Sequence, residues 1–170
     1  DLRNLMYTGY AAFNGPFVIR YPRGKGEMKD WRNEMQVLPI GKGKKLRDGD
    51  DIAVLSIGPI GNEVIKAIEM VKEEGVSIAH YDMIYLKPLD EELLHEIGRK
   101  YNRIITVENG VIKGGFGSAV LEFMADNGYT PHVKRIGVPD AFIEHGSIPE
   151  LYQLCGMDAE SIAKQLKKEN

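Results

Sequence analysis

One cysteine, Cys155, serves the whole of this 170-residue sequence. That scarcity excludes an internal disulfide and any thiolate metal cluster within one chain, and it fits a reducing compartment. Cys155 itself reads as a partly buried small hydrophobe. Positive charge is not in excess either: 22 basic against 25 acidic residues leave a net charge of −3. No overall positive field therefore exists to hold nucleic acid or an anionic membrane. No apolar run approaches the roughly 20 residues that a helix needs to cross a bilayer, and the first residues have neither the basic start nor the apolar centre of a signal peptide. His80, His95 and His132 are scattered over strand and helix positions without ligand spacing, which speaks against a protein-only zinc site. Internal repeats and low-complexity tracts are absent.

What is present is an apolar fraction of 43%, enough to pack the core of one ordinary domain with residues to spare. The sequence opens at Asp1 inside a helix-like stretch, DLRNLMYTGYAA, and without an initiator Met, so it is expected to be a piece of something longer. Leu2, Leu5, Met6 and Gly9 recur near helical spacing, Asn14-Gly15-Pro16 is a turn, and Phe17-Val18-Ile19 reads as a short buried strand stopped by Pro22. The polar stretch GKGEMKDWRNEMQVLP then reads as a surface linker, with a domain boundary near residue 37.

Beyond the boundary the pattern is regular. A short strand is predicted at Lys44 to Arg47, a buried strand from Ile52 (IAVLSIG), a helix from Gly61 to Glu74, a strand VSIAHYDM from Val76, and a helix after Pro88 capped by Asp90. A strand RIITVEN from Arg103, a helix Phe116 to Asp126 and a strand HVKRIGV from His132 follow. Two short helices close the chain, Ile148 to Leu154 and Ala159 to Lys168, the second capped by Asp158. Strands alternating with helices at this spacing imply right-handed crossovers and a three-layer αβα domain around a mainly parallel sheet of about five strands.

Candidate chemistry gathers at strand exits, where open α/β sheets hold ligands. Arg20 and Arg23 bracket a Tyr-Pro pair there, and the guanidinium fork suits phosphate or carboxylate; solvation or pairing with carboxylates is the plainer alternative. Gly114, Gly115 and Gly117, with Ser118, form a glycine turn between a strand and a helix. Such a turn can cradle an anion, or its small residues can admit another chain or domain closely. It is not a dinucleotide fingerprint, because Val120 stands where the third glycine belongs. Asp82 and Glu108 close their strands at the same edge, as functional carboxylates or as helix caps and lysine partners. His145 beside Ser147 lacks a nucleophile elbow and reads as a loop histidine.

Several strings in order, LRNLMYTGY, GPFVIRYPRGKG, LPIGKGK, KPLDEELL, ITVENGVIKGGFGSAVLEF and VPDAFIEHGS followed by GMDAESI, resemble the carboxyl-terminal part of thiamine-diphosphate enzymes of the transketolase family. The closest pattern is that of the members that condense pyruvate with glyceraldehyde 3-phosphate and release CO2. The resemblance implies that residues 1–36 are the end of a central, pyrimidine-binding domain plus linker, and residues 37–170 a transketolase-type C-terminal domain. It implies that Arg23, in YPRG, grips the phosphate of glyceraldehyde 3-phosphate. It also implies a transferase in the full-length protein, with thiamine diphosphate and Mg²⁺ as cofactors, acting in isoprenoid and thiamine precursor synthesis. A homodimer is expected, with the missing N-terminal and central domains of the same chain as partners, in a bacterial cytoplasm or a plant plastid. The Gly-Asp-Gly cofactor motif and the glutamate that activates the aminopyrimidine are absent from these residues. Neither bound cofactor nor turnover is therefore expected of this piece alone, and the glycine turn and the His145 loop are assigned to interfaces. Alternatives are the C-terminal domain of a transketolase or of a 2-oxoacid dehydrogenase β subunit, or a free-standing anion- or nucleotide-binding module.

Overall fold

The computed structural model describes residues 2–22, 26 and 32–167. The chain divides into two compact units, residues 1–40 and 41–170.

In the first unit, helix α1 (Leu2–Ala11) carries one buried polar residue, Thr8. Its hydroxyl donates to the Asn4 carbonyl at 2.7 Å and accepts from the Leu38 amide at 2.8 Å. The Asn4 side chain accepts from the Gln36 amide at 3.2 Å, and Arg3 donates to the Asn33 carbonyl at 3.0 Å. These bonds satisfy backbone groups that no regular element pairs. Gly9 lets Phe17 close onto the helix, since a Cβ there would lie 2.8 Å from the Phe17 ring. The expected strand at Phe17 to Ile19 does not form among the described residues: the segment is extended but belongs to no sheet, and Val18 is 91% exposed. A strand is defined by its neighbour, and the described residues of this unit supply none.

The second unit builds a five-stranded sheet from β1 (Lys44–Arg47), β2 (Ile52–Ile57), β3 (Ile78–Asp82), β4 (Arg103–Val111) and β5 (His132–Val138). The order is β1-β3-β2-β4-β5, with β1 antiparallel on the edge and all other pairs parallel. Helices α2 (Gly61–Met70), α3 (Glu91–Lys100), α4 (Phe116–Asp126), α5 (Ile148–Leu154) and α6 (Ala159–Leu166) complete it. Alternate residues of the strands feed two cores. On one face Ile52, Val54, Ile78, Ile105 and Val107 pack under α2 and α6; on the other Ala53, Leu55, Ala79, Tyr81 and Ile104 pack under α3 and α4. Burial on both faces explains why β2 is a continuous apolar run rather than an alternating one.

Several bounds move from those expected, for local reasons. Helix α2 ends at Met70 instead of Glu74, because Val71 and Glu74 bond three residues back, to Ile68 and Val71, and Gly75 closes the turn with φ +71°. Strand β3 begins at Ile78 because the Ser77 carbonyl is taken by the amides of Asp50 and Asp51. Strand β4 runs past Asn109 to Val111 by way of an irregularity between Val107 and Val111, which shapes the carboxyl edge of the sheet.

Candidate functional site

Arg23 lies outside the described residues; Arg20 is described and is exposed. The glycine turn and the His145 loop, by contrast, are both defined, and they share the carboxyl edge of β4 and β5.

Gly115 stands at the N-cap of α4, preceded by Gly114 at φ +70°. The four free amides and the dipole of a helix start attract an anion, and the anion here comes from the chain itself. Glu108, buried where the ladder of β4 becomes irregular, accepts from the Phe116 amide at 2.9 Å and from the Gly117 amide at 2.8 Å. A Cβ on Gly115 would fall 2.3 Å from the Glu108 Oε2 and 2.4 Å from the Val111 carbonyl; one on Gly117 would fall 2.5 Å from the Thr106 hydroxyl and 2.8 Å from the Arg135 side chain. Both glycines are thus required by what packs against them from inside the domain. Ser118 accepts from the Gly114 amide at 3.0 Å and donates to the Ile112 carbonyl at 3.1 Å. Arg135 reaches the Ile112 carbonyl and the Ser118 hydroxyl, each at 2.8 Å. The turn is braced on every side, and its helix end is filled by the Glu108 carboxylate where a phosphate would bind.

The same brace extends to the loop after β5. The Ile112 amide bonds the Val138 carbonyl at 3.0 Å, and Lys113 pairs with Asp140 at 3.1 Å. Gly137 lies against the Gly110 carbonyl, which a Cβ would approach to 2.8 Å. Within the loop Phe142, Glu144 and His145 are exposed, while Ile143 lines an apolar cavity of about 190 Å³ with Val138, Ile148, Leu151, Cys155 and Met157. The Asn109 amide donates to the Tyr152 hydroxyl at 3.3 Å at its polar side. His145 and Ser147 form no catalytic pair: the Ser147 hydroxyl and amide both donate to Glu150, at 2.6 and 2.9 Å, starting α5 and holding the Glu150 carboxyl below the usual carboxylate range.

Two further polar groups sit at the ends of β2 and β3. His80 is buried, with Nε2 2.9 Å from the Ser56 hydroxyl beneath the start of α2, and burial pushes its imidazole down to about 4. The pair was legible only as two polar residues interrupting apolar strands, and strand pairing is what brings them together. Asp82 accepts from the Ile84 amide at 3.2 Å, and burial raises its carboxyl. Among the described residues no group of three or more His, Cys, Asp or Glu side chains is placed to hold a metal ion. No described helix is long and apolar enough to cross a membrane.

Comparison with known proteins locates this architecture. The family model "Transketolase, C-terminal domain" matches residues 41–162. The 1-deoxy-D-xylulose-5-phosphate synthase of Parabacteroides distasonis is 98% identical over 170 residues, covering all of this chain and 27% of that protein. Its counterpart in Bacteroides thetaiotaomicron is 61% identical over 99% of this chain and 26% of that protein. The chain thus spans about a quarter of the length of the curated relatives it matches. A solved structure, "Split gene transketolase, inactive beta4 tetramer", superimposes with a TM-score of 0.69 and 31% identity, over 78% of this chain and 45% of that one.

Proposed function

The chain belongs to the transketolase family, and from that premise we propose that it is the carboxyl-terminal part of a 1-deoxy-D-xylulose-5-phosphate synthase. The whole enzyme joins pyruvate to glyceraldehyde 3-phosphate, releasing CO2 and forming 1-deoxy-D-xylulose 5-phosphate. The observation that carries this reading is the 98% identity to such a synthase over the full 170 residues. The order of the YPRG, KPLDEELL and GGFGS strings agrees with it.

Within the reaction the role assigned to this part is binding and support. Arg23 holds the acceptor's phosphate through two parallel charge-assisted hydrogen bonds, the geometry that a guanidinium offers a dianion. The αβα domain buttresses the rest of the enzyme and contributes to a homodimer through the glycine turn and the neighbouring loop, where a braced backbone presents a fixed surface.

When bound, thiamine diphosphate would supply the electron sink that the family's decarboxylation needs, and Mg²⁺ would anchor its diphosphate. The described residues do not fit them: no group of three or more His, Cys, Asp or Glu side chains is placed among those residues to hold a metal ion, and the glycine-flanked start of α4 is filled by Glu108. Both cofactors belong to the remainder of the protein, and the 170 residues alone are inactive. Calorimetric titration of the 170-residue chain with thiamine diphosphate and Mg²⁺ is expected to give no micromolar binding; binding at that strength would refute the assignment.

The substrate role is tested by Arg23→Ala in the whole enzyme. Loss of a charge-assisted phosphate contact of about 2 kcal/mol raises KM for glyceraldehyde 3-phosphate roughly 30-fold, with KM for pyruvate little changed. Equal effects on both substrates would contradict it.

A further inference from the structure

We propose that Asn14 is a site of spontaneous modification, the one among the chain's three Asn-Gly pairs that the fold leaves free to rearrange to isoaspartate and aspartate. The pairs are Asn14-Gly15, Asn109-Gly110 and Asn127-Gly128. Glycine matters in each, because a backbone nitrogen with no side chain beside it reaches the asparagine carboxamide without a clash.

The step needs only water. The Gly15 amide nitrogen gives up its proton to solvent hydroxide and bonds to the Asn14 Cγ, while the Cγ–Nδ2 bond breaks and Nδ2 leaves as ammonia, taking a proton from water. A second water opens the resulting succinimide at either carbonyl, giving isoaspartate or aspartate. The exchange of an amide for a carboxylate adds one negative charge to the −3 of the unmodified chain, and the isoaspartate route also lengthens the backbone by one carbon.

Both reacting groups must be unheld at once, and in this the three pairs differ. Helix α1 is followed by a last helical bond, from the Ala12 amide to the Thr8 carbonyl at 2.9 Å. The Phe13 and Phe17 rings then meet edge to face, centroids 5.5 Å apart, with Asn14 and Gly15 exposed in the turn between them. Neither the Asn14 side chain nor the Gly15 amide has a hydrogen-bond partner among the described residues. Asn127 is also exposed, but its Nδ2 donates to the Phe123 carbonyl at 2.9 Å and the Gly128 amide donates to the Ala125 carbonyl at 3.1 Å. Exposure alone therefore does not select the site. Asn109 is half-buried within β4, its Nδ2 donating to the Tyr152 hydroxyl at 3.3 Å. A turn that joins two segments belongs on the surface of the whole protein as well, so the Asn14 tip stays open to water there.

The test incubates the whole protein in mildly alkaline buffer and follows peptides spanning the three pairs by mass spectrometry, with isoaspartate identified by enzymatic methylation. Asn14 is expected to convert roughly 30-fold faster than Asn127, where two hydrogen bonds must first break, and faster still as pH rises. In concentrated urea, where the fold no longer holds any of the pairs, the three rates are expected to converge. Conversion led by Asn109 or Asn127, an Asn14 that stays intact in the folded protein, or an order of reaction that persists in urea would overturn the proposal.

Discussion

Glu108 sits at the point where two kinds of chemistry compete for one helix start. Its carboxylate holds two amides of α4 from within, so an external phosphate would have to displace a buried charge that is already hydrogen-bonded. Replacing Glu108 by Ala strands both donors, and equilibrium denaturation is expected to show a loss of about 2–3 kcal/mol; a change below about 0.5 kcal/mol would mean that the amides find other partners. The neighbouring glycines separate two causes of strain. Gly115→Ala meets the Glu108 carboxylate and the Val111 carbonyl at 2.3 and 2.4 Å and is expected to cost more than about 2 kcal/mol. Gly114→Ala enters open space and bears only its left-handed backbone, about 1–2 kcal/mol. The reverse order would contradict the packing described.

His80 makes a residue-scale prediction in pH. Its folded value is about 4 against an ordinary 6.5, so the unfolded chain binds the extra proton. The stability held by the neutral ring is complete above pH 6.5 and falls as pH drops from 6.5 towards 4, by about 3 kcal/mol in all. Asp82, raised by burial, is protonated more readily when folded and works in the opposite sense. The measurement is therefore a difference: His80→Gln is expected to flatten the slope of unfolding free energy between pH 6.5 and 4 relative to the wild type. An unchanged slope would show that His80 is not the group responsible.

Among elements, those specified by local chemistry were legible. Asp90 announces α3 and Asp158 announces α6, and each caps as its position implies, accepting from Leu93 and Ser161 at 3.2 Å. Asp90 also accepts from the Gly43 amide at 2.9 Å, tying the segment before β1 to the helix. Asp90→Ala is accordingly expected to cost about 1–2 kcal/mol in thermal or denaturant unfolding, the upper part of the range for a lost N-cap. Elements whose existence depends on a distant partner were legible only in part. Phe17 to Ile19 has the composition of a strand but forms none, whereas β1, expected at Lys44 to Arg47 and found there, is all exposed and forms because β3 offers its edge. Glu108 lies in between: its place at a strand exit was visible, but its choice between ligand and cap depended on the irregularity that turns β4 towards α4.

At the scale of the whole molecule, the family was readable from ordered strings along nearly the entire chain, and the αβα architecture from the alternation of strands and helices. The substrate role proposed for Arg23 rests on resemblance rather than geometry, since that residue lies outside the described part of the first unit. The direct measurement is an assay of the purified whole protein with pyruvate, glyceraldehyde 3-phosphate, thiamine diphosphate and Mg²⁺, following CO2 and sugar phosphate together. The account predicts one 1-deoxy-D-xylulose 5-phosphate for each CO2 released. CO2 release without that product, or ketol transfer between sugar phosphates in its place, would contradict it.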